Sequence, residues 1–208
     1  MPDTPSVPVY VNALTALGTV RAYAKNTILI QEGDRSDQVY VVLEGKLKVY
    51  LADSEGKEII VDVLGPGQYF GEMALEGDPR SASVMTLEPS KLSVVERDRF
   101  KDFLGRNPDA AYALIVTLIR RARNLTRAVG DLALLDVYGR VARLLRDGAH
   151  EENGKLIVTE RMTQQEIGKR VGASREMVWR ILDDLRQGDY IAFEDGRIVI
   201  RQPLPKRW

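Results

Sequence analysis

The chain has 208 residues, of which 44% are hydrophobic and 29% are charged, and its formal net charge at pH 7 is zero. These values are typical of a globular protein with room for two modest domains, and no apolar run approaches the roughly 20 residues that a membrane-spanning helix needs. The lack of cysteine excludes disulfides, thiolate metal ligands, cysteine-held iron–sulfur clusters and cysteine nucleophiles.

The two ends of the chain differ in charge and in what they exclude. Residues 1–8 contain Pro and Asp but no basic segment followed by an apolar stretch, so we expect no secretory signal, a cytoplasmic protein and no membrane partner. Residues 161–208 carry ten Lys or Arg against seven Asp or Glu, a net charge of +3, which leaves −3 for residues 1–160. This basic excess is only a weak indication of a nucleic-acid partner.

Residues 18–100 have the pattern of short strands separated by turn residues. Residues 39–43 and 47–51 flank a tight turn at Gly45, and the second run alternates apolar and polar side chains. Further turns are expected at Gly33-Asp34, Ser54-Glu55-Gly56, Gly65-Pro66-Gly67 and Asp78-Pro79. The pattern predicts an antiparallel roll or barrel.

Within this region, residues 67–75 (GQYFGEMAL) and 79–84 (PRSASV) have the form of a phosphate-binding cassette. A short helix beginning near Gly71 would offer backbone N–H groups, and Arg80 and Ser81 would follow on the next strand. Taken alone, a turn and a surface strand explain these residues equally well.

A long helix is predicted from residue 107 to about 135, with Asn107 as N-cap and Pro108 in its first turn. Its apolar residues recur at spacings of three and four, as in a coiled-coil seam: Ile115, Leu118, Ala122, Leu125, Val129 and Leu132. This stripe favours a homodimer. An amphipathic helix packed on its own domain is the alternative.

After Asp136 a second helix is expected to about Asp147, followed by a loop that contains His150 and residues 151–154. Thr163 and Glu166 form a capping box that starts another short helix with Ile167 and Val171 buried.

Gly172 then supplies a turn, and Ser174 caps a helix from Arg175 to about Gln187. Its inward residues are expected to be Val178, Ile181, Leu182 and Leu185. Arg175, Glu176, Trp179 and Arg180 would stay on the outer N-terminal side, which a helix-turn-helix presents to the major groove.

Residues 190–193 and 197–200 form a predicted hairpin with its turn at Asp195-Gly196, so the module is winged. Arg reads guanine and Glu accepts from cytosine N4, so the outer residues of the preceding helix can read adjacent base pairs. Generic three-helix packing with surface arginines is the structural alternative.

Residues 171–180 (VGASREMVWR) and 132–140 (LALLDVYGR) resemble the CRP/FNR family, and the resemblance covers nearly the whole chain. It implies an α+β protein with an N-terminal cyclic-nucleotide-binding β-roll in residues 1–106, a dimerisation helix in 107–135 and a C-terminal winged helix-turn-helix in 136–208. Residues 132–140 would form the hinge between the last two.

The resemblance also implies an effector, most simply cyclic AMP, with no required cofactor and no metal. Glu72 would hold a ribose hydroxyl, and Arg80 and Ser81 the cyclic phosphate. The remaining residues expected at this site are Gly71, Met73, Arg121 and Thr126.

For the DNA-binding end, the resemblance implies a palindrome of TGTGA-like half-sites and RNA polymerase as a protein partner. The residues expected on double-stranded DNA are Thr163, Gln164, Ser174, Arg175, Glu176, Trp179 and Arg180. Trp179 departs from the small residue common in the family.

The effector stays open because Leu125 stands where members that respond to cyclic AMP carry a hydroxyl side chain, and leucine cannot hydrogen-bond adenine. Cyclic di-GMP, or no nucleotide at all, is the alternative. A haem sensor is disfavoured because His150 is the single histidine and lies in a predicted loop.

Two other classes of protein fit the sequence less well. An enzyme is disfavoured because the chain shows no Ser/His/Asp set, metal-ligand spacing or Walker-type loop. A nucleotide-binding regulatory subunit that does not bind DNA would suit the roll alone, but the C-terminal module argues against it.

Overall fold

The computed structural model describes residues 9–205, and the chain divides into two compact units, Met1–Ala122 and Arg123–Trp208. In the first unit, helix α1 (Val9–Ala16) precedes the strands, and helix α2 (Arg97–Arg106) follows them. The strands are β1 (Thr19–Tyr23), β2 (Ile28–Ile30), β3 (Gln38–Glu44), β4 (Leu47–Ala52), β5 (Glu58–Leu64), β6 (Tyr69–Phe70), β7 (Ser83–Thr86) and β8 (Ser90–Glu96).

These strands form two four-stranded antiparallel sheets, in the orders β1-β8-β3-β6 and β2-β7-β4-β5. The predicted β-roll is therefore confirmed. Although β3 and β4 flank Gly45, they do not pair with each other, because the turn carries the chain from one sheet to the other. Gly45 has φ +94°, and a Cβ there would lie 2.2 Å from Ser90 Oγ, so this corner requires glycine.

Side chains from both sheets fill the interior of the roll. One cluster is built around Val42, Leu47, Phe70 and Leu92, and Tyr40 stacks on Phe70 with 4.9 Å between the ring centroids. Strands β3 and β8 also bury their other face, because Val39, Val41 and Val95 pack in a second cluster with residues of α1 and α2.

Helices α1 and α2 were not predicted from the sequence. Phe100 and Phe103 of α2 pack with Val11 and Leu14 of α1 in a second apolar cluster. Asn107, the predicted N-cap of the following helix, donates its side-chain amide to the Phe103 carbonyl oxygen at 2.8 Å and so closes the end of α2.

Helix α3 runs from Pro108 to Leu134, close to its predicted span, and the division between the two units falls within it. The second unit then contains α4 (Val137–Asp147), β9 (Ala149–Glu152), β10 (Lys155–Val158), α5 (Gln164–Val171), α6 (Arg175–Gln187), β11 (Ile191–Glu194) and β12 (Arg197–Ile200).

The predicted loop after α4 is wrong, because β9 and β10 form an antiparallel hairpin. They extend the wing into a four-stranded sheet of order β11-β12-β10-β9. His150 therefore lies in a strand. It is exposed, with Nδ1 3.1 Å from the Thr159 hydroxyl.

The core of the second unit joins the helices to this sheet. Val141 and Leu145 of α4 pack with Ile167 of α5 and with Val178 and Leu185 of α6. Within residues 9–205, no helix combines the length and apolar character that crossing a membrane requires.

Candidate functional site

The cassette is built on a left-handed turn at Gly71, which has φ +85° and precedes a four-residue 3₁₀ helix, Glu72–Leu75. A Cβ on Gly71 would lie 2.8 Å from the Gln38 carbonyl oxygen and 3.2 Å from Arg80 Nη1. Glycine is therefore needed both for the backbone angle and for the close approach of Arg80.

Arg80 is buried, with 4% of its surface exposed. Its Nη1 donates to the Gly71 carbonyl oxygen and its Nη2 to the Gln38 carbonyl oxygen, each at 2.7 Å. Its buried Nε has no hydrogen-bond partner among the described residues. Arg80 and Ser81 lie in the loop before β7 and not, as predicted, on the strand itself.

Glu72 is also buried and joins the cassette to α3. Its Oε1 accepts from Arg121 Nη1 at 2.7 Å, and Arg121 Nη2 donates to the Tyr69 carbonyl oxygen at 2.5 Å. Glu72 Oε2 is buried with no hydrogen-bond partner among the described residues. The arrangement leaves one acceptor atom on Glu72 and one donor atom on Arg80 for a further group.

Burial lowers the pKa of the Arg80 guanidinium, while the neighbouring Tyr40, Glu72 and Asp37 oppose this shift. An arginine starts so far above neutrality that it stays charged after such a shift. The cassette therefore holds a fixed cation close to a carboxylate.

Met73 and Ser81 occupy the exposed side of the cassette, where the Ser81 hydroxyl donates to the Met73 sulfur at 2.9 Å. Thr126 is exposed on α3 and belongs to the second unit. The structure thus brings Gly71, Glu72, Arg80 and Arg121 together within the first unit. Sequence reasoning missed Gln38 and Tyr69, which contribute carbonyl oxygens that no side-chain pattern marks.

Along α3 the whole predicted seam is exposed, whereas Ala110 and Leu114, nearer the start of the helix, are buried in the first unit. The exposed seam residues are Ile115, Leu118, Ala122, Leu125, Val129 and Leu132. This stripe leaves a row of apolar side chains open to a partner.

The helix-turn-helix has the predicted caps. Thr163 Oγ1 accepts from the Glu166 N–H at 3.2 Å, and the Thr163 N–H donates to Glu166 Oε2 at 2.7 Å, which completes the capping box. Gly172 has φ +65° at the end of α5. A Cβ on Gly168 would lie 2.6 Å from the Ala173 carbonyl oxygen, so a second glycine allows the tight turn.

Ser174 Oγ accepts from the Met177 N–H at 3.2 Å and caps α6. The inner face of this helix is buried as predicted: Val178, Ile181, Leu182 and Leu185. Arg175, Glu176, Trp179 and Arg180 are all exposed on the outer side. Thr163 is exposed and Gln164 half-buried at the start of α5.

The pKa of Glu176 is lowered by a hydrogen bond from its own backbone N–H and then by one from the Ser174 hydroxyl, with smaller contributions from Arg175 and Arg180. The carboxylate on the outer face of α6 is therefore held in its charged, acceptor form. Such a group can accept from a cytosine amino group.

The wing follows α6 as predicted. Strands β11 and β12 pair in register around a turn at Asp195 and Gly196, both with positive φ. Lys155 donates to Glu194 at 2.7 Å and Arg197 to Glu152 at 3.0 Å, so ion pairs tie the wing to the β9–β10 hairpin.

Comparison with known proteins assigns the two halves of this architecture. The cyclic nucleotide-binding domain family matches residues 20–107, and the Crp-like helix-turn-helix domain family matches residues 139–204. A sensor domain for a cyclic nucleotide is thus followed by a DNA-binding domain.

Relatives match over nearly the full length. The cAMP-activated global transcriptional regulator CRP of Pasteurella multocida is 32% identical over 96% of this chain and 98% of its own. The protein of the same description from Haemophilus influenzae is 36% identical over 86% and 82%. A solved structure of the c-di-GMP responsive global regulator CLP of Xanthomonas campestris has a TM-score of 0.80 and 26% identity, covering 92% of this chain and 98% of that chain.

The chain therefore belongs to the CRP/FNR family. It is a DNA-binding transcriptional regulator under cyclic-nucleotide control and not an enzyme, as the sequence predicts.

Proposed function

We propose that this chain is a cytoplasmic homodimer whose effector is cyclic AMP, held by Gly71, Glu72, Arg80, Ser81 and Arg121. The observation that carries the proposal is the pair of buried atoms without partners in the described chain: Glu72 Oε2, an acceptor, and Arg80 Nε, a donor. A ribose hydroxyl would satisfy the first atom and a phosphate oxygen the second. Both groups belong to one cyclic nucleotide.

Other features of the cassette support the same ligand. Burial strengthens the attraction between Arg80 and a phosphate, because little water competes for either group. Ser81 and Met73 lie at the exposed edge, where the serine hydroxyl can turn from the Met73 sulfur to a phosphate oxygen. We propose Thr126 as a further contact on the effector.

Calorimetric titration of the full chain with cyclic AMP, cyclic GMP and cyclic di-GMP tests this proposal. We expect heat with cyclic AMP and its loss in Glu72→Gln. Because a related regulator is described as c-di-GMP responsive and because Leu125 cannot bond adenine, stronger binding of cyclic di-GMP is the second candidate. No heat with any of the three nucleotides would reject the effector site.

At the DNA end, we propose that Arg175, Glu176 and Arg180 read TGTGA-like half-sites of a palindrome. Thr163, Gln164 and Ser174 would support the docking, and Trp179 would join the reading face. Arg175→Ala should relax discrimination at one base pair by about 1 to 3 kcal/mol. Band shifts on the site and on singly substituted sites measure this loss. Equal wild-type affinity for the site and for scrambled DNA would contradict the proposal.

We further propose that the exposed stripe of α3 is the dimer seam and that residues 1–106, 107–135 and 136–208 act as sensor, dimerisation helix and DNA-binding domain. Effector binding at Glu72 would change the contact of Arg121 and so the register of α3 against its partner. Two recognition helices would then reach the major-groove spacing of about 34 Å.

RNA polymerase is the proposed protein partner of the DNA-bound dimer. Saturating nucleotide must raise DNA affinity for this mechanism to hold, because an effector shifts a population only through different affinities for two states. Equal DNA affinity with and without nucleotide would contradict it.

A further inference from the structure

Helix α6 exposes one large aromatic side chain among its charged outer residues. Trp179 has 52% of its surface exposed, although tryptophan is the side chain with the most apolar area to gain from burial. Residues 178, 181, 182 and 185 already fill the inner face of the helix, so Trp179 is not part of the core. The exposed indole therefore offers a flat apolar surface and one N–H donor to a binding partner of this helix.

The position of Trp179 on the helix places it within the proposed reading face. An α-helix turns about 100° and rises about 1.5 Å per residue, so Trp179 lies about 40° around from Arg175 and about 6 Å further along the axis. Its direction falls between those of Arg175 and Glu176. One turn later Asp183 brings a negative charge, which already accepts from Arg186 and Gln187. A groove-facing stretch would therefore end near Arg180.

The outer residues of α6 offer two kinds of contact, polar and apolar. Arginine and glutamate match the acceptors of guanine and the amino group of cytosine, whereas the indole of Trp179 offers an apolar surface. The major groove presents one apolar group, the 5-methyl group of thymine. We propose that Trp179 is a specificity-determining residue that contacts the methyl group of a thymine in each half-site. This inference rests on DNA recognition by α6 as proposed above.

A different contact would use the same side chain. The indole N–H could donate to a phosphate, but this contact would be independent of sequence and would add the same affinity for any DNA. Removing methyl groups from thymines separates the two contacts, because it leaves every phosphate in place.

The experiment has two stages. Binding sites are selected from random duplex DNA with the full-length wild type and with Trp179→Ala, each with cyclic AMP, with cyclic di-GMP or with no nucleotide. Each thymine of the wild-type site is then replaced by deoxyuridine, symmetrically in both half-sites, and affinity is measured at one salt concentration. We expect one thymine whose methyl group is worth about fourfold in wild-type affinity per half-site, the value of burying one methyl group.

Trp179→Ala should show no penalty at that thymine and should select any base there, whereas Trp179→Phe should keep part of the penalty. Met177→Ala is the matched control, because Met177 is exposed on the same helix but points about 160° away from Trp179. It should keep the wild-type profile.

Wild-type indifference to every deoxyuridine, or an unchanged penalty in Trp179→Ala, would overturn the inference. So would an equal loss of affinity of Trp179→Ala for selected and scrambled DNA, which would identify a phosphate contact. Failure of the wild type to select any sequence would instead contradict the proposed DNA recognition itself, and this inference would fall with it.

Discussion

Arg80 is almost fully buried, and its guanidinium is oriented by two backbone carbonyl oxygens and not by a carboxylate. The charge is therefore preorganised in the cassette, and no carboxylate within residues 9–205 forms a direct ion pair with it. Glu72 is held in a complementary way, since Arg121 contacts one of its oxygens and leaves the other. In the proposed site, these two residues would contact the ribose and the phosphate of the effector.

Replacing Arg80 should affect stability and binding together. Arg80→Ala leaves the Gly71 and Gln38 carbonyl oxygens without their donors and should lower the free energy of unfolding by about 1 to 3 kcal/mol, as well as removing nucleotide binding. Ser81→Ala, at an exposed position, should weaken nucleotide binding while changing stability by less than about 0.5 kcal/mol. Urea unfolding and calorimetry measure the two effects. Wild-type nucleotide affinity in Arg80→Ala would contradict the assignment.

The lowered pKa of Glu176, in the DNA-binding domain, makes its contribution to folding stability depend on pH. Its pKa is lower folded than unfolded, so its stabilising contribution is present above the unfolded pKa of about 4.3 and is lost as the pH falls through the folded pKa. Because its own backbone N–H and then Ser174 lower the pKa, Ser174→Ala should raise it toward the ordinary value. An NMR titration of the Glu176 carboxyl measures this shift. Arg186→Ala, at the far end of α6, should leave the titration unchanged.

The elements show where local sequence decides structure. Both ends of α5 and the start of α6 lie where the predicted caps place them, because each signal acts within one turn: Thr163 with Glu166, Gly172, and Ser174 with the Met177 N–H. The β9–β10 hairpin was missed because the strand residues 149–152 are largely polar and exposed. Its turn, Asn153-Gly154 with both φ angles positive, is a strong local signal that could have identified it.

Substitutions at two glycines test how closely Gly71, at the start of the 3₁₀ helix, approaches its neighbours. Gly77→Ala should lower the free energy of unfolding by about 1 to 2 kcal/mol, the cost of a left-handed backbone at a position with open space around it. Gly71→Ala should cost more, because its Cβ also meets the Gln38 carbonyl oxygen, and it should weaken nucleotide binding. Urea unfolding and calorimetry compare the two variants. Equal losses of stability would contradict the close approach at Gly71.

At the scale of the whole molecule, α3 carries both a cassette contact and an exposed apolar stripe. Arg121 faces Glu72, while the exposed seam continues along the same helix to Leu132. If the stripe is the dimer seam, as proposed, we expect effector binding next to Arg121 to affect assembly through this helix.

If the exposed stripe of α3 is the dimer seam, charged substitutions within it should prevent dimerisation. Leu125→Glu with Val129→Glu places like charges where two copies of the helix would meet and should convert a dimer into a monomer, with loss of binding to a palindromic site. Sedimentation equilibrium and band shifts measure both changes. Ile28→Glu is the control, because Ile28 is equally exposed but lies on β2, outside the stripe. A double variant that stays dimeric would show that the seam lies elsewhere.

The sequence alone determined the order of the architecture: a β-roll, a long helix and a winged helix-turn-helix. These features follow from residue periodicity, caps and turns, which act over a few neighbouring residues, and from the resemblance of short motifs. The residue types and positions of Arg175 and Glu176 identified them as candidates for base contacts, whereas Glu72 and Arg80 became candidates for effector contacts through the family resemblance.

Only the tertiary structure decided which strands pair and which atoms meet. The separation of β3 from β4 into two sheets, the position of Arg80 before β7, and the contact of Arg121 with Glu72 all join residues distant in the chain or depend on such packing. Periodicity shows that a strand has a buried face, but it does not show which strand lies beside it. Whether a polar atom is left without a partner depends on the whole packed surroundings, as Glu72 Oε2 and Arg80 Nε demonstrate.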